Sequence, residues 1–430
     1  MRMSKIVRST QPAIQVRKSS QTGLSILKLI QAFPSISRVE LAEKSGLSTA
    51  AITGIVNSLL RQTLLVEGEA SATPIGRKRV GLSLRSSLGY VVGIDLGTFN
   101  LRVVVTDLNG NIFANRQINT EMSRGRAHVL DRCFSAVRQT CADAGIADKD
   151  ICGIGIAFSG VIDVARGVIL AYPRPGQMEQ WKNIPLRQIV EKEFGVECIL
   201  DDSVRAIATN EKYAGHGRNL KDFVYVDVGM GIGSAIFIDG QMYRGYNGSA
   251  GEFGHITVDE DGPLCCCGSN GCLEAVASCA TIIQSVKLAL EKGVTSKIID
   301  MAAQDRDSIT VEVIAAAAEQ NDSLAYRALH EAASHIGAAC ADIVNLLNPQ
   351  AIVFGGALFR ATPTLLLDEI RHVIRRRALE KSANDVSLII SAAGSDAGAR
   401  GIARLTAAEL IRPIFLREFD MAATETPVEV

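Results

Sequence analysis

Tyr90 to Arg116 reads YVVGIDLGTFNLRVVVTDLNGNIFANR, and Phe223 to Arg244 reads FVYVDVGMGIGSAIFIDGQMYR. Each run holds an apolar strand, an aspartate (Asp95, Asp227), a glycine loop, a second strand, an Asx-Gly pair (Asn109-Gly110, Asp239-Gly240) and a third strand. Asx-Gly between such runs is a strong hairpin signal, because both residues tolerate the positive φ of a tight turn. Two copies of one unit predict a duplicated α/β body with two lobes. Long helical stretches separate and follow them, such as Asp322 to Leu347, after which Ala351 to Leu358 reads as an apolar strand running into Gly355-Gly356.

Just beyond the second copy, Gly251 to Glu274 reads GEFGHITVDEDGPLCCCGSNGCLE. His255, Cys265, Cys267 and Cys272 make a Cys₃His set. That donor set suits a tetrahedral zinc and leaves no coordination position open for a catalytic water. One structural Zn²⁺ per chain is therefore expected, with Cys266 pointing away from it. Glycines let so short a loop wrap round one ion. The other cysteines are scattered through apolar stretches, as in a reducing compartment, so a disulfide framework is not expected.

The chain has 430 residues and a net charge of −1. It lacks both a long uncharged apolar run and a signal-peptide core, so the expectation is a cytoplasmic protein of two or three domains. The small net charge hides an asymmetry. Residues 1–85 contain 13 Lys and Arg against 4 Glu and no Asp, which is +9, and the remainder carries −10. A basic head on an acidic body implies that the head alone meets a polyanion.

The head has a pattern as well as a charge. Gly23 to Ala32 is apolar at helical spacing. Ser37 and Glu40 form a capping box for a second helix ending at Ser45, and Gly46 makes the turn. Ser48 caps a third helix reaching about Gln62, with Ile52, Ile55, Val56, Leu59 and Leu60 on its apolar face. Ser48, Thr49, Thr53, Asn57 and Arg61 are the candidates for reaching base edges or phosphates from that helix. Leu64 to Glu67 and Val80 to Leu84 alternate as a hairpin, and Arg77, Lys78 and Arg79 at its tip suit a phosphate or minor-groove contact. This is the plan of a winged helix-turn-helix for double-stranded DNA.

With these residues in view, the chain resembles the repressor branch of the ROK family (repressors, open reading frames, kinases). The resemblance rests on Gly254-His255, on Cys265 through Glu274, on the Asp95 and Asp227 loops, and on Asn348-Pro349 leading to Gly355-Gly356. It implies an actin-like, hexokinase-like body of two lobes with a sugar or sugar phosphate held between them. By matching position the sugar contacts are Gly160, Asp201, Asp202, Glu252, His255 and Glu274. The implied division is a winged helix over 1–85 and a first lobe over 86–205. A helix near 395–415 returns to that lobe, the second lobe with the zinc loop spans 206–394, and 416–430 is a tail. Family kinases use the residue matching Asp202 as a general base. Here Thr98, Phe99 and Met230 depart from the pattern of their nucleotide loops, Asp201 stands in place of their Asn, and the wing reads Gly76-Arg77-Lys78 instead of Gly-Arg-Pro.

The reading that follows is a sugar-responsive regulator, a repressor of carbohydrate uptake or catabolism genes, with no catalytic residue beyond a vestigial Asp202. It is expected to be a homodimer or homotetramer on an inverted-repeat operator. The alternative is an ATP-dependent sugar kinase with an appended DNA-binding domain. A third possibility is a body that binds a sugar-transport protein.

Overall fold

The computed structural model describes residues 11–71, 79–172 and 179–424. In the head, side-chain caps set where the helices begin. Helix α1 spans Gln11–Ala32. Ser37 Oγ accepts the Glu40 amide while Glu40 Oε2 accepts the Ser37 amide at 2.9 Å, which closes the capping box and starts α2, Arg38–Ser45. Gly46, at φ 69°, ends that helix in the left-handed region that glycine adopts without strain. Ser48 caps α3, Thr49–Arg61, by accepting the Ala51 amide. Strands β1 (Leu65–Ser71) and β2 (Arg79–Leu84) pair antiparallel as the wing. Arg77 and Lys78 lie outside the described residues, as does the side chain of Arg79.

The duplication seen in the sequence appears as topology. The first sheet consists of β3 (Tyr90–Leu96), β4 (Asn100–Asp107), β5 (Ile112–Asn119), β6 (Ile151–Phe158) and β9 (Glu197–Asp202), in the order β5-β4-β3-β6-β9. The second consists of β10 (Phe223–Val228), β11 (Ile232–Ile238), β12 (Gln241–Tyr243), β13 (Ala351–Gly355) and β14 (Ser387–Ile390), in the order β12-β11-β10-β13-β14. Each holds an antiparallel meander whose first strand also pairs in parallel, β3 with β6 and β10 with β13. A small hairpin of β7 (Val161–Asp163) and β8 (Val168–Ala171) lies between the two in sequence.

Contacts divide the chain into two compact units. One comprises Met1–Phe158, Pro185–Asp201 and Gly398–Val430; the other comprises Ser159–Ile184 and Asp202–Ala397. In this division Ser159–Ile184 and the residues from Asp202 fall in the second unit. The β7–β8 hairpin, bridged at Ile169 and Ile184, belongs to the second unit, and Asp202 begins that unit's long run. Within the first unit, helix α4 (Arg126–Asp143) buries Val129, Cys133 and Val137, and α5 (Leu186–Phe194) buries Leu186 and Val190. The C-terminal helix runs from Ala397 to Thr424, beyond the expected end near 415, and carries Pro413 inside it. It lies against β3 so closely that a Cβ on Gly93 would stand 2.1 Å from the Ala399 carbonyl oxygen. Among the described residues no helix is long and apolar enough to cross a membrane.

The second unit has its own large core. Val226, Ile232 and Phe354 from the sheet pack with Leu273, Ile282, Ile336 and Leu366 from its helices. Asp322 accepts the Ala325 amide at 2.9 Å and caps its longest helix, Ser323–Leu347.

Candidate metal centre and nucleic-acid interface

The cysteine loop folds as a knuckle tied by its own backbone. The Cys265 amide donates to Ser269 O at 2.7 Å, and the Gly271 amide donates to Pro263 O at 2.9 Å. A bridge between Thr257 and Cys272 brings the histidine end beside the last cysteine. Gly271 sits at φ 59°, and a Cβ there would stand 1.5 Å from the Asp259 carbonyl oxygen, so any side chain would collide. The ligand atoms of His255, Cys265, Cys267 and Cys272 consequently lie within 4.8 Å of one another. Cys265 Sγ is 3.6 Å from His255 Nδ1, and Cys267 Sγ is 3.6 Å from Cys272 Sγ. Tetrahedral zinc, with thiolates about 2.3 Å from the metal, sets them about 3.8 Å apart. These four residues therefore fit a metal ion by donor type and by spacing.

Burial pushes the Cys272 thiol up to about 12, whereas the Ser269 backbone amide holds Cys267 down at about 7. Cys266 is exposed and outside the set. Its Sγ turns toward Glu274 Oε1, at 3.7 Å.

Other predicted residues have local tasks. Glu274 Oε2 accepts the Ile232 amide at 2.8 Å, which ties α7 (Leu273–Ala277) to the second glycine loop. Asp202 Oδ1 accepts the Val204 amide at 2.8 Å and the Arg205 amide at 3.2 Å as the cap of α6, Ser203–Ala214. Glu252 is exposed, His255 is half-buried, Asp201 is buried at the end of β9, and Gly160 lies in the turn after β6. All but Asp201 belong to the second unit.

The glycine loops are closed by bonds of their own. The Gly97 amide donates to Asn100 O at 3.1 Å, and Thr120 Oγ1 donates to Gly97 O at 2.8 Å. In the second loop the Gly229 amide donates to Gly231 O at 2.9 Å. Phe99 is 59 % exposed and Met230 37 % exposed. Apolar side chains thus stand in the solvent at two positions of these loops. Sequence reasoning missed a buried network near the second loop. Glu211 accepts from the His216 amide at 2.6 Å and from Ser391 Oγ at 2.7 Å, and Tyr225 donates its hydroxyl to Asp227 at 3.1 Å. These partners are distant in sequence or hidden in an apolar strand, so no spacing signals them.

On the head, Ile52, Val56 and Leu59 of α3 are buried, while Ser48, Thr49, Thr53, Asn57 and Arg61 are exposed. Ser48 Oγ is engaged as the cap and Thr53 Oγ1 donates to Thr49 O at 2.8 Å. Arg38, which the sequence did not single out, donates to Asn57 Oδ1 at 3.4 Å and pairs with Glu67 at 2.6 Å.

Comparison with known proteins agrees with this geometry. The ROK family model matches residues 91–409, and a model described as winged helix-turn-helix DNA-binding matches residues 19–62. The xylose repressor of Caldicellulosiruptor bescii is 29 % identical over 356 residues, covering 83 % of this chain and 87 % of that protein. A crystal structure of a ROK family transcriptional regulator, a homolog of the E. coli MLC protein, superposes with a TM-score of 0.75 at 28 % identity. It covers 93 % of this chain and 98 % of its own. A ROK family glucokinase from Streptomyces griseus, solved with glucose and AMPPNP, gives a TM-score of 0.63 at 29 % identity over 74 % of this chain and 99 % of its own. Head, duplicated sheets and cysteine knuckle together have one explanation: the chain belongs to the ROK family, with a winged helix-turn-helix preceding an actin-like, hexokinase-like body.

Proposed function

We propose that the protein is a sugar-responsive transcriptional repressor of carbohydrate uptake or catabolism genes. It binds a double-stranded, inverted-repeat operator through its winged helix as a homodimer or homotetramer. A sugar or sugar phosphate is its effector, bound by Glu252, His255 and Glu274 with Gly160, Asp201 and Asp202. Its cofactor is one structural zinc on His255, Cys265, Cys267 and Cys272. The observation that carries this reading is a winged helix on the same chain as a ROK body, together with sequence likeness to a repressor across both.

Zinc at this knuckle would be structural, since four protein donors complete a tetrahedral shell. Its effect on the effector site runs through the chain's own residues. Leu273 and Glu274 follow directly on Cys272, and Glu252 stands three residues before His255, so fixing the knuckle fixes both carboxylates. Carboxylates suit a sugar because each oxygen accepts hydroxyl donors. Two observations support the absence of kinase activity. The amides of Gly97, Gly229 and Ile232 already have protein acceptors, and Phe99 and Met230 stand in the nucleotide loops. Phosphate cradles need free amides and small residues instead.

On the DNA side, Thr49, Thr53, Asn57 and Arg61 face the major groove, with Ser48 at the helix start. The wing residues Arg77, Lys78 and Arg79 meet phosphates or the minor groove. An effector shifts operator affinity only by binding one conformation better than another. The test is operator affinity of the full-length protein, on a site obtained by selection from random duplexes, with xylose, glucose and N-acetylglucosamine and their phosphates added in turn. Glu252→Ala should keep operator affinity and lose the sugar response. Asp202→Asn should do the same, because Asn retains the helix cap that Ala removes. Turnover of any of these sugars with ATP at ordinary enzyme rates would overturn the non-catalytic reading.

A further inference from the structure

The junction between the head and the first sheet is built like a protein interior. Asp107, at the end of β4, is fully buried, and its carboxylate accepts from Ser86 Oγ at 2.7 Å, the Asn109 amide at 3.0 Å and the Asn111 amide at 2.9 Å. It also accepts from Asn109 Nδ2 at 3.1 Å and Asn111 Nδ2 at 2.9 Å, so the turn over 107–111 is held from within. That turn then grips the head. Asn109 Oδ1 accepts the Leu84 amide at 2.9 Å, and Asn109 Nδ2 donates to Leu84 O at 2.9 Å. A side-chain amide thus pairs with the last residue of the wing as a neighbouring strand would. From α1, Gln31 Nε2 donates to Leu108 O at 3.1 Å.

The apolar layer is continuous as well. Ile30 and Leu84 of the head share one core with Val104 and Leu108 of the sheet and with Ile411 and Phe415 of the C-terminal helix. A Cβ on Gly23 of α1 would lie 3.4 Å from the Phe415 ring. Separating head from sheet would orphan buried amides and expose this layer, which no flexible linker requires.

We propose that the head has no hinge of its own, and that Asn109 is the positioning residue that fixes its orientation on the first unit. The winged helix moves only when the whole first unit moves. An effector bound elsewhere then reaches DNA by displacing first units as rigid bodies, which changes the spacing of the two heads in an oligomer. This functional consequence rests on the repressor reading above; the rigid junction does not.

Hydrogen exchange of the full-length protein tests the junction without any ligand. The amides of α3 and β2, including Leu84, should be protected to within about tenfold of those in β3. Asn109→Ser is too short to span to Leu84 and should speed head exchange by about a hundredfold, leaving the second sheet unchanged. Should that variant lose its fold, Gln31→Met alters only the head side and should speed exchange by about tenfold. Wild-type head amides exchanging about a hundredfold faster than β3, or two variants without effect, overturn the proposal.

On a selected operator, wild type should lose about tenfold in affinity when the half-site spacing changes by one base pair, a discrimination Asn109→Ser should lack. A variant as strict as wild type removes Asn109 from the positioning role. A protein with a protected head that selects no duplex sinks the repressor reading alone and upholds the rigid junction.

Discussion

The two sheets share one strand order, and the residues that fill them differ. In the first, Gly93 and Gly155 are glycines of contact: the C-terminal helix puts the Ala399 carbonyl where a Gly93 side chain would be, and the Thr406 hydroxyl and Ile402 where a Gly155 side chain would be. In the second, the corresponding pair is Tyr225 and Val353, both buried side chains, and Gly229 in the loop that follows has nothing nearer to a Cβ than the Asp227 carboxylate at 3.8 Å. The first sheet thus buries one face against a helix that also reaches the head, while the second carries an open loop and the cysteine knuckle beside it. The paired aspartates diverge too: Asp95 faces Arg102 at 3.4 Å, whereas Asp227 takes a tyrosine hydroxyl. The two sheets keep the same strand order, and side-chain packing distinguishes them.

The largest effect should come from the knuckle. Cys272→Ser removes a buried donor and should cost several kcal/mol, seen as lost stoichiometric zinc and a lowered Tm. Cys266→Ser should leave both nearly unchanged. Protein purified without chelator that holds no stoichiometric metal would refute the zinc assignment.

A contrast between a packed strand glycine and an open loop glycine ranks next. Gly93→Ala forces a methyl group onto the Ala399 carbonyl and should destabilise by about 3 kcal/mol, read from urea unfolding. Gly229→Ala meets open space and should cost less than about 1 kcal/mol. Equal costs would mean that the two glycines serve the same purpose after all.

The smallest effect concerns Asp227. Burial raises its carboxyl above the usual range, with the Tyr225 hydroxyl and Arg360 acting the other way. A carboxyl raised on folding supplies stability at pH below its unfolded value and loses it as pH rises through the folded value. Asp227→Asn should therefore raise Tm slightly at pH 7, by about 2 °C or less, and the gain should vanish below about pH 4. A Tm difference that grows on acidification would reverse the assigned cause.

Much of the head was legible in local chemistry. Capping residues act within three positions of themselves, so Ser37, Glu40 and Ser48 announced their helices. The basic charge was equally plain, although Arg77, Lys78 and the Arg79 side chain fall outside the described residues. The metal set was readable for a related reason: its four donors lie within one loop whose glycines and turns close it locally. The carboxylates were harder to read. Spacing placed Glu274 beside the knuckle, yet could not show its oxygen on the Ile232 amide, and nothing near Asp202 revealed that it begins the second unit's long run.

By itself, the sequence determined the elements, the duplication and the donor set, because each depends on periodicity, caps or short loops that the chain settles with its neighbours in order. Tertiary structure alone decided which residues meet across long separations. Asn109 on Leu84, Gly93 beneath Ala399, Phe415 against Gly23 and Ser391 on Glu211 are contacts between segments that sequence does not rank. The physical reason is that burial is a property of the packed interior: a polar side chain becomes a lock only where water has been excluded and one partner remains.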